Sequence, residues 1–456
     1  MTKALGTFRA FYLVALCCVG SFLFAYDTGI VGGILTFPSF QRDFRYTTKD
    51  KANVGSLSTS LLQAGAFFSC FFIWPFTARF GRRWSLVLAS AIFNVGAVVQ
   101  TINTHHLAGF YIARFVSGVG VGMATVIVPM YSAEMAPKNI RGMLGSMFQF
   151  FFTLGVMTSY WVDYAASIHI PDDSSAQWQL PVGLQLVPGT ILGLGMLFTK
   201  FSEIVRSIDE ENRIKAGLTW KELIEPVNRY RLGLIIALQI DAPQIFGLVG
   251  TGQDKLLLTG FFGLVKVVAC LFFLLFLVER IGRRGSLLAG AGLMGTYMLI
   301  VAILTVKFPP NPDAGLTPPS IASLTMIYLE AMSYNISWGP VPWVYTGEIF
   351  SSRTREAGIA ISTSTQWLFN FVFSQATPHA VTNLGWRTFL MFSIFNFALV
   401  IFVWFFIMET KGKSLEEMED LFARRVGVII ARPAEDGVAG EKEMERQVAM
   451  QSAKSN

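Results

Sequence analysis

The chain has 456 residues, of which 53% are hydrophobic and only 14% are charged, and its mean hydropathy is +0.50. In soluble globular proteins about a quarter of all residues are charged. The composition of this chain therefore excludes a soluble enzyme and indicates a membrane protein. The net charge of +6 would suit a nucleic-acid partner, but the basic residues fall mostly in alternate loops between apolar runs. That pattern sets membrane topology, and no nucleic-acid binding is expected.

Apolar runs long enough to cross a bilayer recur along the whole chain. A span takes roughly 20 apolar residues, and we find about twelve such runs. They lie at 12–36, 54–77, 84–102, 107–131, 143–164, 180–199, 231–250, 256–278, 285–306, 320–345, 357–380 and 386–408. The first is too long for a signal peptide and has no small-residue cleavage site, so we expect it to remain in the mature chain. The sequence therefore predicts an all-α membrane protein with twelve transmembrane helices.

The basic loops predict how the spans are oriented. The clusters are Arg79, Arg82 and Arg83, then Lys138 and Arg141, then the loop 200–231, then Arg280, Arg283 and Arg284, then Arg353 and Arg355, then the tail after Lys411. The positive-inside rule places these loops and both termini in the cytoplasm. One loop on the other side, 42–51, is also basic, so most loops follow the rule but not all of them. We expect a multi-pass protein of the plasma membrane.

Two motifs occur twice, six spans apart. ARFGRRWSL at 78–86 follows the second span and ERIGRRGSLL at 279–288 follows the eighth, while SAEMAPKNIRG at 132–142 and TGEIFSSRTREAG at 346–358 follow the fourth and the tenth. Such repeats are typical of transporters built from two similar halves. We expect an N-terminal six-helix half at 1–199, a cytoplasmic linker at 200–230, a C-terminal six-helix half at 231–410, and a cytoplasmic tail at 411–456 that is disordered at its end.

Four further motifs accompany these repeats: FAYDTGIVGG at 24–33, RFVSGVGVGM at 114–123, GLQLVPG at 183–189 and METKGKSLEEME at 408–419. Together the motifs make the chain resemble a known family. It is similar to the sugar porters of the major facilitator superfamily, in their fungal quinate-permease and hexose-transporter branch. The resemblance covers nearly the whole membrane portion. It implies two pseudo-symmetric halves, alternating access and a small-molecule cargo, which would be a hexose, a pentose or a sugar-like acid such as quinate. We expect no enzyme activity, no cofactor and a monomer in the lipid bilayer.

The first span contains a single charge, Asp27, in the run SFLFAYDTGIVGG. A lone charge at the centre of a span costs about 2.5 to 3.5 kcal/mol on insertion scales, so a partner is needed, and Arg114 in the fourth span is the candidate. By the resemblance, the two look like the proton site of a symporter. A static ion pair in a facilitative uniporter is the alternative.

A second intramembrane charge, Lys266, lies in GFFGLVKVVACLFF and has no acidic residue in its own span. Three explanations are open: the side chain reaches the membrane surface, it pairs with Asp241, or it binds the carboxylate of an acidic substrate. The third would favour quinate over a neutral sugar.

Sugar sites combine hydrogen-bonding amides with an aromatic face. By match to the family motifs, the candidate substrate-binding residues are Gln149, Gln239, Trp343, Gln366 and Asn370. The alternative is that these amides only hold helices together. No metal site is expected, because the four cysteines fall inside spans and the four histidines are scattered.

The resemblance also implies a cytoplasmic gate, a set of ion pairs that holds the two halves together on the cytoplasmic side and breaks as they rock. Its candidate members are Arg82, Arg83, Glu134, Arg141, Glu279, Arg283, Arg284, Glu348 and Arg355. Anchoring of the loops is the alternative role. Ala78 stands where the family usually has an aspartate, which predicts a weaker latch in the first half.

Span seven departs from the family pattern. Family members carry a glutamine pair and a serine-glycine-x-asparagine run there, whereas here ALQI at 237–240 passes directly into DAPQIF at 241–246, and the proline-glutamate-serine-proline-arginine signature after span six is absent. The chain would then be a diverged paralogue, or the inactive product of a truncated gene model lacking part of helix 7. A non-transporting nutrient sensor is a further alternative, although the tail is short for signalling.

Overall fold

The structure is a computed structural model and describes residues 3–47, 50–135, 141–198, 220–239, 253–309, 317–351, 353–413 and 415–427. These ranges contain helices and connecting turns and no β-strand. The helices are α1 (Lys3–Ile34), α2 (Pro38–Phe44), α3 (Lys51–Thr101), α4 (Leu107–Met135), α5 (Arg141–His169), α6 (Ala176–Leu184), α7 (Leu186–Phe198), α8 (Trp220–Ile224), α9 (Pro226–Leu238), α10 (Gln253–Phe272), α11 (Arg283–Lys307), α12 (Pro318–Asn335), α13 (Val341–Ile349), α14 (Arg355–Leu384), α15 (Trp386–Phe406) and α16 (Leu415–Val426). A π-helical turn, Phe273–Leu277, extends α10.

Eight helical segments of the described chain are long and apolar enough to cross a membrane. They are Phe11–Ile34, Lys51–Thr77, Arg79–Thr101, Leu107–Ser132, Ala176–Phe198, Leu256–Leu277, Arg283–Lys307 and Trp386–Phe406. They match predicted spans one to four, six, eight, nine and twelve. The predicted spans five and eleven fall on the more polar helices α5 and α14, and span ten is divided between α12 and α13. Span seven begins on α9, and its continuation at 240–252 lies outside the described residues.

The two G-R-R motifs form the same backbone turn. Gly81 has φ 79° and ψ 166°, and Gly282 has φ 85° and ψ 168°. Glycine populates this region of positive φ without the steric penalty that a Cβ would impose. Gly81 divides α3 into two spans, and Gly282 stands directly before α11, so each motif copy joins two consecutive spans.

Apolar side chains of both halves share one core. Its largest cluster is built mainly from α1, α3, α4 and α5 and includes Trp343 and Trp367 from the second half. Phe24 packs edge-on against Trp367 at a centroid distance of 4.8 Å. The four cysteines, Cys17, Cys18, Cys70 and Cys270, are unpaired and fully buried, so they act as small apolar side chains.

A buried carboxylate ties together the loops at the end of the spans opposite the G-R-R turns. Asp43 of α2 accepts hydrogen bonds from Trp178 Nε1 at 2.9 Å, Asn103 Nδ2 at 3.0 Å and Arg42 Nη2 at 2.9 Å. Its burial opposes ionisation, but hydrogen bonds from Ser175, Trp178 and Arg42 outweigh this and hold the pKa of Asp43 below its usual value. The carboxylate thus connects α2, α6 and the loop after α3.

The Asp43→Asn variant should lower the free energy of unfolding by about 2 kcal/mol at neutral pH, because charge-assisted hydrogen bonds are lost. This stabilisation is present above the pKa of an unfolded aspartate, about 3.9, and is lost as the pH falls through the lower pKa of the folded protein. Thermal unfolding of both purified proteins at neutral and acidic pH measures it. Asp173→Asn, at an exposed position in the same region, is the control, and a difference that persists undiminished in acid would contradict the assignment.

Candidate substrate and coupling site

Asp27 and Arg114 form an ion pair in the interior of the first half. Arg114 Nη1 donates to Asp27 Oδ1, and both side chains are fully buried. Arg114 Nε also donates to the Ser58 carbonyl oxygen at 3.0 Å, so the guanidinium is held by α3 as well as by α1. Asp27 Oδ2 and Arg114 Nη2 have no hydrogen-bond partner in the described part of the chain. The pair is therefore charge-balanced but only half satisfied.

An amide that the sequence analysis did not single out lies beside this pair. Gln100 Oε1 is 3.5 Å from Arg114 Nη1, at the limit of a hydrogen bond, and Gln100 Nε2 donates to Ser117 Oγ at 2.9 Å. Gln100 is 1% exposed. If Asp27 became neutral, Arg114 would retain Ser58 and Gln100 as uncharged acceptors, which lowers the cost of leaving its charge buried. Its position could have been noticed from the sequence, because Gln100 is an amide within the predicted span 84–102.

Gln149 meets the second half where a helix is interrupted. Gln149 Nε2 donates to Asn335 Oδ1 at 3.2 Å, and both residues are buried. Asn335 ends α12, α13 begins at Val341, and Gly339 in the intervening turn faces the Gln149 amide. In secondary transporters, discontinuous helices of this kind place backbone polar groups at substrate sites. Asn335 was not predicted, because its partner lies in the other half of the sequence.

The other predicted substrate residues differ in whether their polar groups are hydrogen-bonded within the protein. Gln239 Nε2 donates to Ser362 Oγ at 3.0 Å, and Trp343 packs against Phe148 with ring centroids 4.4 Å apart. Gln366 and Asn370 are half-buried, and within the described residues no hydrogen bond to either amide is found. These two amides retain the capacity to bind a ligand.

Lys266 points into the protein rather than to the membrane surface. Its side chain is 3% exposed, and Nζ lies 5.4 Å from the centroid of the Phe262 ring. The acidic side chain that acts on it electrostatically is Glu330 of α12. Asp241, the partner considered from the sequence, lies outside the described residues. Glu330, in the predicted tenth span, was not considered as a partner from the sequence.

Among the described residues, the charges at the G-R-R end form two buried ion pairs. Arg283 Nη2 lies 2.8 Å from Glu348 Oε1 within the second half, and Glu348 Oε2 accepts from Thr410 at 2.6 Å. Arg82 Nη2 lies 3.0 Å from Glu356 Oε1, which joins the first half to the second, and both side chains are less than 5% exposed. Glu356 was not among the predicted residues.

The remaining predicted members of the cytoplasmic gate have other surroundings. Arg83 Nε donates to the Met196 carbonyl oxygen at 2.9 Å, and Arg284 Nη2 to that of Trp404 at 2.7 Å. Arg355 Nη2 lies 3.5 Å from the Phe350 carbonyl oxygen, and Glu279 lies 3.7 Å from Arg283. The side chains of Glu134 and Arg141 lie outside what the structure describes. Arg83 and Arg284 thus bind helix C-terminal carbonyls, as cations commonly do.

Polar contacts join the halves at more than one depth. The Arg82–Glu356 pair lies at the G-R-R end, the Gln149–Asn335 bond lies in the interior, and Gln375 Nε2 donates to Ser60 Oγ at 2.6 Å towards the opposite end. Trp367 Nε1 adds a bond to Thr125 Oγ1 at 3.1 Å. The two halves are therefore in polar contact at both ends and in the interior.

Two halves of spanning helices, joined by polar contacts, form the architecture of a membrane carrier. The chain belongs to the sugar (and other) transporter family, whose model matches residues 13–202 and 199–422. It is a multi-pass membrane transporter and not an enzyme, as the sequence predicted.

The relatives include fungal permeases. The chain is 31% identical to a probable quinate permease of Aspergillus clavatus, over 95% of this chain and 92% of that protein. It is also 31% identical to the quinate permease of Emericella nidulans, over 91% and 89%. The first alignment runs over 500 residues although the chain has 456, so that relative contains internal segments that this chain lacks.

The fold is shared with solved transporters. The proton:xylose symporter XylE, bound to 6-bromo-6-deoxy-D-glucose, superposes with a TM-score of 0.77 at 22% identity, covering 91% of this chain and 99% of that one. A D-xylose-proton symporter gives a TM-score of 0.66 at 24% identity, over 88% and 99%. This likeness confirms the predicted all-α fold of twelve transmembrane helices.

Replacing Glu356 with Gln should open the contact between the halves at the G-R-R end, because the buried Arg82 charge would lose the carboxylate at 3.0 Å. A cysteine introduced at Val344, which is 5% exposed and packs against Gly145 of the other half, reports the opening by its rate of maleimide labelling. We expect labelling to accelerate at least about tenfold, the effect of roughly 1.4 kcal/mol on the equilibrium.

Glu222→Gln is the matched control for this experiment, because it breaks the more exposed Glu222–Arg353 pair at 2.7 Å. Exposed pairs contribute little, so its labelling rate should stay near that of the parent. Equal rates in the Glu356 variant and the parent would show that the pair does not hold the halves closed.

Proposed function

We propose that the protein carries a sugar or sugar-like acid across the membrane by alternating access, in symport with a proton that binds at Asp27 beside Arg114. The observation that carries this proposal is the fully buried ion pair, in which Asp27 Oδ2 has no hydrogen-bond partner among the described residues. An intramembrane charge is costly and commonly marks an ion pathway. A proton is the one ion that a single carboxylate can bind without further ligands.

Protonation of Asp27 would change the force between two helices. The ionised carboxylate attracts Arg114 and holds α1 to α4, whereas the neutral acid leaves only hydrogen bonding between them. Arg114 stays in place through Ser58 and Gln100. The first half can then rearrange around bound substrate, and loss of the proton on the other side restores the pair.

Substrate would bind where Gln149 and Asn335 now bond to each other. Hydroxyl groups both donate and accept, so a polyol can replace this single bond between the halves with bonds to each. Gln366 and Asn370 offer further amides, and Trp343 offers an aromatic face for the apolar side of a sugar ring. Gln239, bonded to Ser362, would contribute by breaking that bond.

The relatives support a cyclic polyol as the proposed cargo. Those named above are a probable quinate permease, a quinate permease and xylose symporters, which supports a hexose, a pentose or quinate. Lys266 is near Glu330, so an acidic substrate would have to compete with that carboxylate. We place the carrier in the plasma membrane as a monomer with both termini in the cytoplasm.

Uptake of labelled glucose, xylose and quinate into transporter-deficient yeast tests the proposal. The parent should accumulate one of them above the outside level, since a proton moving through 100 mV supplies about 2.3 kcal/mol. A protonophore should abolish accumulation, and Asp27→Asn should only equilibrate the substrate. Asp173→Asn is the control for an exposed aspartate.

Other outcomes identify the competing functions. If the parent only equilibrates the substrate and a protonophore does not change this, the protein is a facilitative uniporter. Asp27 would then form a static ion pair that holds helices together. No uptake by protein confirmed at the cell surface would favour a nutrient sensor or an inactive chain lacking part of helix 7, in keeping with the segments it lacks relative to the Aspergillus clavatus protein.

Gln149→Ala should raise the KM for the transported substrate about three- to tenfold, because hydrogen bonds to the substrate are lost while the protein itself loses only the bond to Asn335. Asn335→Ala should do the same, and the double variant should cost less than the sum because the residues act on one ligand. Gln179→Ala, which removes a bond to the Thr101 carbonyl oxygen, is the control. A KM unchanged in both single variants would restrict these amides to joining helices.

A further inference from the structure

A second aspartate, Asp163 of α5, is buried in the first half and has no part in the function described above. Its side chain is fully buried, and neither Oδ1 nor Oδ2 has a hydrogen-bond partner in the described residues. Buried carboxylates are normally paired or hydrogen-bonded. This one therefore requires a separate explanation.

The close contact between α1 and α5 keeps water from this carboxyl group. Gly29 faces Ser159 and Gly33 faces the Asp163 carboxyl directly, so that a methyl group at either glycine would collide with α5. Gly33 lies six residues after Asp27 on α1, about 9 Å of helix rise. The two aspartates thus lie at different depths of one helix interface.

In the described part of the chain, no positive charge compensates Asp163. The titratable groups that feel the Asp163 carboxyl are the Tyr26 hydroxyl of α1 and the Tyr160 hydroxyl of α5, and Tyr26 also feels the Asp27 carboxyl. Among the described residues of α4, α6 and α10, no basic side chain contributes at Asp163. Nor does the described chain hold any group of three or more His, Cys, Asp or Glu side chains suited to a metal ion.

We propose that Asp163 is a second proton-binding site of the first half, which carries a proton in this conformation and releases it when the α1–α5 contact opens to water. An ionised carboxylate without a partner would cost several kcal/mol in this position, whereas the neutral acid can stay buried. On release the O–H bond of Asp163 breaks, the carboxylate keeps the electron pair and water takes the proton. Asp163 thereby makes the contact between α1 and α5 sensitive to pH.

The stability of the purified protein tests this without any transport measurement, so its outcome does not depend on the coupling role of Asp27. The parent and Asp163→Asn are melted over a range of pH, with Asp173→Asn as the control. Asn has nearly the shape of the neutral acid, and Asp27 titrates in both proteins, so its effect cancels in the difference.

Asp163→Asn should gain stability relative to the parent as the pH rises, by up to about tenfold in the unfolding constant for each pH unit once ionisation of the unfolded aspartate is complete. At these pH values the folded parent keeps a proton on Asp163, whereas the same carboxyl is ionised in the unfolded chain. The parent therefore loses stability as the pH rises. Two results would show that Asp163 is ionised and overturn the proposal. One is a stability difference between variant and parent that does not depend on pH, and the other is a variant that loses stability relative to the parent as the pH rises. Asp163→Ser, smaller and also neutral, must show the same trend.

Discussion

The hydrocarbon interior of a membrane does not tolerate an uncompensated charge, and this constraint organises the polar residues of the protein. Asp27 is neutralised by Arg114, Arg82 by Glu356, and Lys266 has Glu330 near it. The first pair lies within one half, whereas the second joins the two halves. A change of protonation or conformation that removes one partner leaves the other buried and alone, so these pairs are the places where a small chemical event can move whole helices.

The shared core and the polar contacts play different parts. Trp343 and Trp367 insert apolar rings from the second half into the largest cluster of the first, and such contacts are non-directional. The hydrogen bonds between the halves, such as Gln149 to Asn335 and Gln375 to Ser60, have defined geometry. The apolar surfaces hold the halves together over a range of positions, and the polar contacts select particular ones.

Features set by neighbouring residues could be predicted from the sequence, whereas most features set by distant pairings could not. The G-R-R turns follow from local glycine chemistry, and both copies have the same backbone angles. The contact of Asp27 with Arg114 could be predicted because a lone acid and a lone arginine in two spans require each other. Glu356 and Asn335 were missed because their partners lie more than 180 residues away, and no periodicity records that pairing. The break between α12 and α13 was hidden inside one long apolar run.

At the proposed substrate site, the bond between Gln149 and Asn335 affects how tightly cargo would be held. These amides already bond to each other, so a polyol that binds to both would exchange a hydrogen bond rather than only add new ones. The gain on binding is correspondingly small. For a receptor that would be a defect, but a carrier must also let its cargo go, and a ligand that is only slightly preferred over the protein's own side chains can leave quickly on the far side.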